Sequence, residues 1–282
     1  MGRLMHSKFK LAGVMGWPVA HSRSPDIHNY WIRQHGLNAA YGHFAVDPER
    51  VGDAIRGLRA LGLVGCNITI PHKIEAMQHV DEVHPLAQRV GAINCVVVEE
   101  SGRLVGFNHD GYGFIQSLLS AQPTWQAHAG PSVVIGAGGA SRAILVSLID
   151  AGAPEIRLFN RTRATAEQLA DELGPTVRVL DWQDKEAALD GATLLVQTTN
   201  QGMQGEPPLD LDLAALPKQA VVADIIYTPL QTPLLAQAHA RGNDTVNGLG
   251  MLLHQARPAF ASWFGVDPRV TPELERAVLA TF

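Results

Sequence analysis

Short apolar runs alternate along this chain with stretches whose apolar positions return every three or four residues. Ser132-Val133-Val134-Ile135 is an unbroken β-branched run bounded by Pro131 and Gly136, which predicts a strand buried on both faces. The glycine-rich segment Gly136-Ala137-Gly138-Gly139-Ala140 follows it, then an apolar helix over Ala143–Leu148. A second strand, Ile156–Phe159, ends on Asn160-Arg161-Thr162. Further strand-like runs lie at Val177–Leu180, Thr193–Val196, Val221–Asp224 and Asp244–Val246, with helical spacing at Ala164–Leu173, Lys185–Leu189 and Pro233–Arg241. Such alternation predicts a doubly wound parallel sheet.

The first part of the chain reads differently. Leu11–Met15, Tyr41–Val46 and Gly65–Ile70 predict strands, Val51–Leu61 predicts a helix, and Ala92–Val98 with Leu104–Phe107 predicts a hairpin around Glu100-Ser101-Gly102. Ser24-Pro25 predicts a helix start, with Ser24 as N-cap and Pro25 in the first turn of a helix ending near Gln34. Gln122–Pro131 reads as a linker, and Met251–Trp263 as a final helix that crosses back to the first domain. The expected architecture is therefore α/β in two domains. An N-terminal substrate domain takes residues 1–115 plus 249–282, and a Rossmann-type nucleotide domain takes 116–248.

Composition narrows the function classes. A chain of 282 residues with 46% hydrophobic and 17% charged residues is long enough for two ordinary cores. A net charge of −5 gives no electrostatic reason for a nucleic-acid or anionic-membrane partner. The two cysteines, Cys66 and Cys95, form neither a disulfide framework nor metal-ligand spacing; both lie in apolar runs, which suits a reducing cytoplasm. No apolar run reaches membrane-spanning length, and the N-terminus has no signal-peptide core. Met1-Gly2 misses the myristoylation pattern because His6 stands where Ser or Thr is needed.

The glycine turn carries chemistry because it follows a strand and opens a helix, so its backbone can approach a pyrophosphate at the helix N-terminus. Ser141 takes the third fingerprint position, where Gly or Ala is usual. An NAD site places Asp or Glu at the second strand's end to hold the ribose hydroxyl. Here Asn160 stands there with Arg161 and Arg163 behind it, a pattern that suits a 2′-phosphate. NADP is favoured and NAD stays open. Ser22 and Ser24 sit at a strand-to-helix junction, either as a plain cap or as a carboxylate holder. Asn67 and Thr69 share a face of their strand, and Lys73 follows its end. Asp110 is read equally as a helix cap or as a functional carboxylate.

Taken in order, a series of motifs resembles the shikimate/quinate dehydrogenase family almost from end to end. They are Pro18-Val19-Ala20-His21-Ser22-Arg23-Ser24-Pro25, Asn67-Ile68-Thr69-Ile70-Pro71-His72-Lys73, Gly91-Ala92-Ile93-Asn94, Asn108-His109-Asp110-Gly111, the glycine turn, Asp224-Ile225-Ile226-Tyr227, and Gly248-Leu249-Gly250-Met251-Leu252-Leu253-His254-Gln255. The resemblance implies an NAD(P)-dependent oxidoreductase that interconverts shikimate or quinate with the 3-dehydro acid by hydride transfer, as a monomer or homodimer. It further implies Lys73 and Asp110 as the catalytic pair, Ser22 and Ser24 on the substrate carboxylate with Tyr227 near it, and Asn67, Thr69, Asn94 and Gln255 on the ring hydroxyls. Cofactor contacts would come from Gly136, Ala137, Gly138, Gly139, Ala140, Asn160, Arg161, Thr162, Ile225 and Gly248; no metal is implied.

Several positions depart from the family pattern. His109 and Cys95 stand where Thr is usual, Gln197-Thr198-Thr199-Asn200 replaces an Asn-Ala-Thr or Asn-Ala-Ser start, and Thr165 replaces a second Arg. Two other readings remain: a paralogue acting on another cyclic hydroxy acid, and a non-catalytic sensor of metabolite and nucleotide.

Overall fold

Residues 8–282 are described by a computed structural model. The readings at Met1, Gly2 and His6 lie outside the described residues. The described chain forms two compact units, one running up to His109 and including Ala256–Phe282, the other Asp110–Gln255. The fold is two-domain α/β. The helix over Asp110–Ala121 and the first half of the helix over Gly248–Phe264 belong to the second unit, so its borders lie slightly outside 116–248.

In the first unit, β1 (Lys10–Gly16), α1 (Ser24–Gln34), β2 (Ala39–Ala45), α2 (Val51–Ala60) and β3 (Gly65–Ile68) are followed by β4 (Glu82–Val83), α3 (Pro85–Val90), β5 (Cys95–Val98) and β6 (Leu104–Phe107). The sheet order is β2-β1-β3-β5-β6-β4, with β1 parallel to β2 and β3, and β5 antiparallel to β3 and β6. The hairpin forms as expected, closed by Glu99 N–H donating to the Arg103 carbonyl at 2.9 Å. One core gathers Ile55 and Leu58 of α2 with Cys66, Ile68, Val96 and Leu104. Full burial of each such aliphatic side chain contributes about 1.5–3 kcal/mol, so the apolar stripe of α2 dictates which face it turns to the sheet. A second cluster is aromatic: His28 stacks on Tyr41 with ring centroids 4.2 Å apart, and Trp31, Phe260 and Trp263 surround the pair.

The second unit comprises α4 (Asp110–Ala121), β7 (Ser132–Ile135), α5 (Gly139–Asp150), β8 (Ile156–Phe159), α6 (Arg163–Leu173), β9 (Val177–Val179), β10 (Leu194–Gln197), β11 (Val221–Asp224), α7 (Pro233–Arg241), β12 (Thr245–Val246) and the start of α8 (Gly248–Phe264). All its strand pairs are parallel, in the order β12-β11-β10-β7-β8-β9, the dinucleotide-fold order with β7 at the switch point. The unbroken run in β7 has its explanation here. Val134 packs into a cluster with Ile144 and Leu148, while Val133 and Ile135 pack into another with Leu234 and Leu235. Both faces are covered, so no polar alternation is needed.

Three expectations need correction. Ser24 is the first residue of α1 rather than its cap: Arg23 holds the cap position, and the Ser24 N–H donates to Ser22 Oγ at 3.4 Å, so the earlier serine satisfies the helix start. Lys185–Leu189 is not an α-helix; short 3₁₀ turns at Trp182–Asp184 and Ala187–Leu189 take its place, since a single turn has too few hydrogen bonds to offset nucleation. β3 stops at Ile68, so Thr69 lies just beyond the strand that holds Asn67. A last helix, α9 (Pro272–Leu279), capped by Thr271, closes the chain.

Candidate functional site

In the first unit, hydrogen bonds bring three motifs to one place. The Ile93 N–H donates to the Lys73 carbonyl at 2.9 Å, setting the half-buried lysine beside the Gly91–Asn94 motif. Asn67 Nδ2 donates to the Asn94 carbonyl at 3.0 Å, and Asn94 Oδ1 accepts the His109 N–H at 2.9 Å. Thr69 is fixed through its N–H on the Met15 carbonyl at 2.9 Å. The remaining Asn67 acceptor takes the Tyr41 hydroxyl at 2.6 Å. Burial, above all, pushes the Tyr41 phenol well above its ordinary range, so it donates this bond at neutral pH. Ser22 and Ser24 meet at the start of α1, their hydroxyls 3.3 Å apart. The His109 ring packs flat on Phe107, centroids 5.8 Å apart.

The second unit holds the glycine turn and the other expected residues. Gly136 has φ of +110°, and a Cβ there would strike the Thr198 hydroxyl, so only glycine fits without rearrangement. The Ser141 hydroxyl donates to the Gly136 carbonyl at 2.5 Å, which gives the unusual third fingerprint residue a structural task. Gly138 caps α5 with no side-chain bond, and the space above Gly138 and Gly139 is open. The turn thus leaves room for a ligand at the positive end of α5, which fits a pyrophosphate. Asn160 joins the second strand's end to this turn: its Oδ1 accepts the Ala137 N–H at 3.2 Å, and its Nδ2 donates to the Thr162 carbonyl at 2.9 Å. Arg161 is exposed.

The Gln197 departure is self-contained. Its buried amide donates to Thr199 Oγ1 at 2.8 Å and to the Gln201 carbonyl at 2.9 Å, and accepts the Thr199 N–H at 2.9 Å. At the end of β11, buried Asp224 accepts the Ile226 N–H at 3.0 Å and the Thr232 hydroxyl at 2.7 Å. These bonds fix the turn through Ile225 to Tyr227, while burial raises the Asp224 carboxyl to about 6. The Gly248 N–H donates to the Ile226 carbonyl at 2.9 Å, and any Cβ at Gly248 would fall on the Ile225 carbonyl. Ile225 and Gly248, with Asp224, Asn247 and Met251, line a small pocket. Asp110, buried, opens α4; Gln255, also buried, donates to the Leu252 carbonyl at 3.1 Å.

The site residues are therefore divided. Ser22, Ser24, Asn67, Thr69, Lys73 and Asn94 fall in the first unit; Asp110, Tyr227, Gln255 and the cofactor set fall in the second.

Comparison with known proteins decides the family. Residues 14–96 match the shikimate dehydrogenase substrate binding domain, and residues 121–204 match shikimate / quinate 5-dehydrogenase. A shikimate dehydrogenase (NADP(+)) of Paramagnetospirillum magneticum is 52% identical over 98% of this chain and 100% of its own length. The chain belongs to the shikimate and quinate dehydrogenase family. Among solved members, the Thermus thermophilus shikimate 5-dehydrogenase, in complex with NADP(H) and shikimate, is 35% identical with a TM-score of 0.86, covering 97% of this chain and 100% of that one. Quinate dehydrogenase from Corynebacterium glutamicum, in complex with NAD, is 29% identical with a TM-score of 0.88, covering 96% and 99%.

Sequence reasoning missed Tyr41, His28 and Thr232 as supports of the family motifs. Tyr41 lies in an alternating strand like any other, and nothing local marks its partner 26 residues away.

Proposed function

We propose that this chain is an NADP-dependent oxidoreductase that interconverts shikimate and 3-dehydroshikimate. The observation that carries this reading is the hydrogen-bonded junction of Asn67, Lys73, Asn94 and His109, which ties three family motifs into one place. When bound, the nicotinamide supplies or accepts the hydride. Lys73 takes the proton leaving the substrate hydroxyl on oxidation and returns it to the ketone oxygen on reduction, and Asp110 is the second catalytic group.

Ser22 and Ser24 hold the substrate carboxylate, with Tyr227 beside that end. Asn67, Thr69, Asn94 and Gln255 bind the ring hydroxyls and so choose which one reacts. The unit built on β7 takes the nucleotide. Gly136, Ala137, Gly138, Gly139 and Ala140 cradle the pyrophosphate, Asn160, Arg161 and Thr162 take the adenosine end, and Ile225 and Gly248 take the nicotinamide end. No helix among the described residues is long and apolar enough to cross a membrane. The two free, buried cysteines support a cytoplasmic setting.

Isotope transfer tests the reaction. Shikimate carrying deuterium on the carbon that bears the reacting hydroxyl should deliver it to NADP, giving labelled NADPH and 3-dehydroshikimate. Unlabelled NADPH, or no NADPH, contradicts the proposal.

A further inference from the structure

Arg163 opens α6, and two carboxylates hold its guanidinium. Its Nε donates to Glu167 Oε1 at 2.7 Å, one turn along the same helix, and its Nη1 donates to Asp181 Oδ1 at 2.6 Å. Asp181 lies just past the end of β9, which runs parallel beside β8, the strand that leads into Asn160 and Arg161. Two guanidinium groups therefore follow the end of β8, in different states. Arg163 is committed to a carboxylate on either side, whereas Arg161 is exposed and takes part in no ion pair among the described residues.

We propose that Glu167 and Asp181 withdraw Arg163 from the nucleotide's 2′-phosphate, leaving Arg161 to read it alone, and so cap how strongly the protein prefers NADP over NAD. The inference deepens the function proposed above and rests on its NADP reading. The difference between the two nucleotides is a phosphate against a hydroxyl, and only the phosphate rewards a second bidentate guanidinium. A guanidinium presents five N–H donors along two bidentate edges, and here the Nε and Nη1 donors, one from each edge, are held by carboxylates. Both ion pairs are solvent-exposed and individually weak, so their effect is a change of preference rather than its loss.

The test uses truncated probes for the adenosine end, so that no catalysis is needed. Calorimetric titration of 2′,5′-ADP and of 5′-AMP compares the wild type with the double variant Glu167→Gln/Asp181→Asn and with the same variant carrying Arg163→Ala. The expected result is that the double variant binds 2′,5′-ADP about tenfold tighter with 5′-AMP unchanged, the scale of the two exposed ion pairs that the wild type has to break before Arg163 can turn to the phosphate. Adding Arg163→Ala should remove the gain. That arm separates release of the guanidinium from simple removal of negative charge.

No gain in the double variant, an equal gain for 5′-AMP, or a gain that survives Arg163→Ala overturns the inference and leaves the proposed function standing. A wild type that binds 5′-AMP as tightly as 2′,5′-ADP overturns the NADP reading itself.

Discussion

The Tyr41 hydroxyl donates to Asn67 Oδ1 at 2.6 Å, and both side chains are buried. Because Asn67 Nδ2 also donates to the Asn94 carbonyl, the orientation of its amide is fixed. Tyr41→Phe removes the bond that selects this orientation. A bond of this class is worth about 1–2 kcal/mol, so KM for shikimate should rise roughly five- to thirtyfold while NADP affinity stays unchanged. Steady-state kinetics checks it; an unchanged KM would remove Tyr41 from the substrate site.

Lys73→Ala should lower kcat by about 10²–10⁴-fold, the usual contribution of a positioned acid–base group, with NADP binding retained. Its backbone carbonyl takes the Ile93 N–H, a bond the substitution keeps. Retention of most of the wild-type kcat would assign the proton to another group.

His28 predicts a pH dependence of stability. The ring is fully buried against Tyr41, and burial lowers its pKa from 6.5 to about 3. The folded pKa is depressed, so the unfolded chain binds more protons between those values. The contribution is whole above pH 6.5 and is lost as pH falls towards 3, at up to about 1.4 kcal/mol per pH unit. His28→Phe should flatten the pH dependence by about one proton between pH 4 and 6 in urea melts; parallel curves would show that His28 titrates normally.

Two glycines should separate folding from binding. At Gly248 a Cβ meets the Ile225 carbonyl, so Gly248→Ala should cost about 2–3 kcal/mol and lower Tm. At Gly138 the space is open and φ is −84°, so Gly138→Ala should leave Tm nearly unchanged. The new methyl would nevertheless occupy the cradle where the pyrophosphate has to approach, and NADP affinity should fall about tenfold or more. Calorimetric binding with thermal melts distinguishes the pair; unchanged NADP affinity in Gly138→Ala would place the pyrophosphate elsewhere.

The β7–α5–β8 unit was legible because a strand covered on both faces needs an unbroken apolar run, and Val133, Val134 and Ile135 supply one. The start of α5 is hidden in the sequence, since Gly139 and Ser141 mask a helix that begins at the turn itself, four residues before Ala143. The short β4 and α3 have too few residues to show a period, whereas α9 carries a clear start signal in Thr271-Pro272. The order of the motifs was plain from the chain. The bonds between them were not: Asn94 and His109 meet across 15 residues, a pairing that no periodicity encodes.

The central claim is most directly tested by measuring kcat/KM for reduction of NADP and of NAD, each with shikimate and with quinate, on the purified protein. Shikimate with NADP should be the fastest of the four combinations, with shikimate and NAD slower. Fastest turnover of quinate with NAD would contradict the substrate and the cofactor together, and binding of acid and nucleotide without any reduction would make the protein a sensor instead.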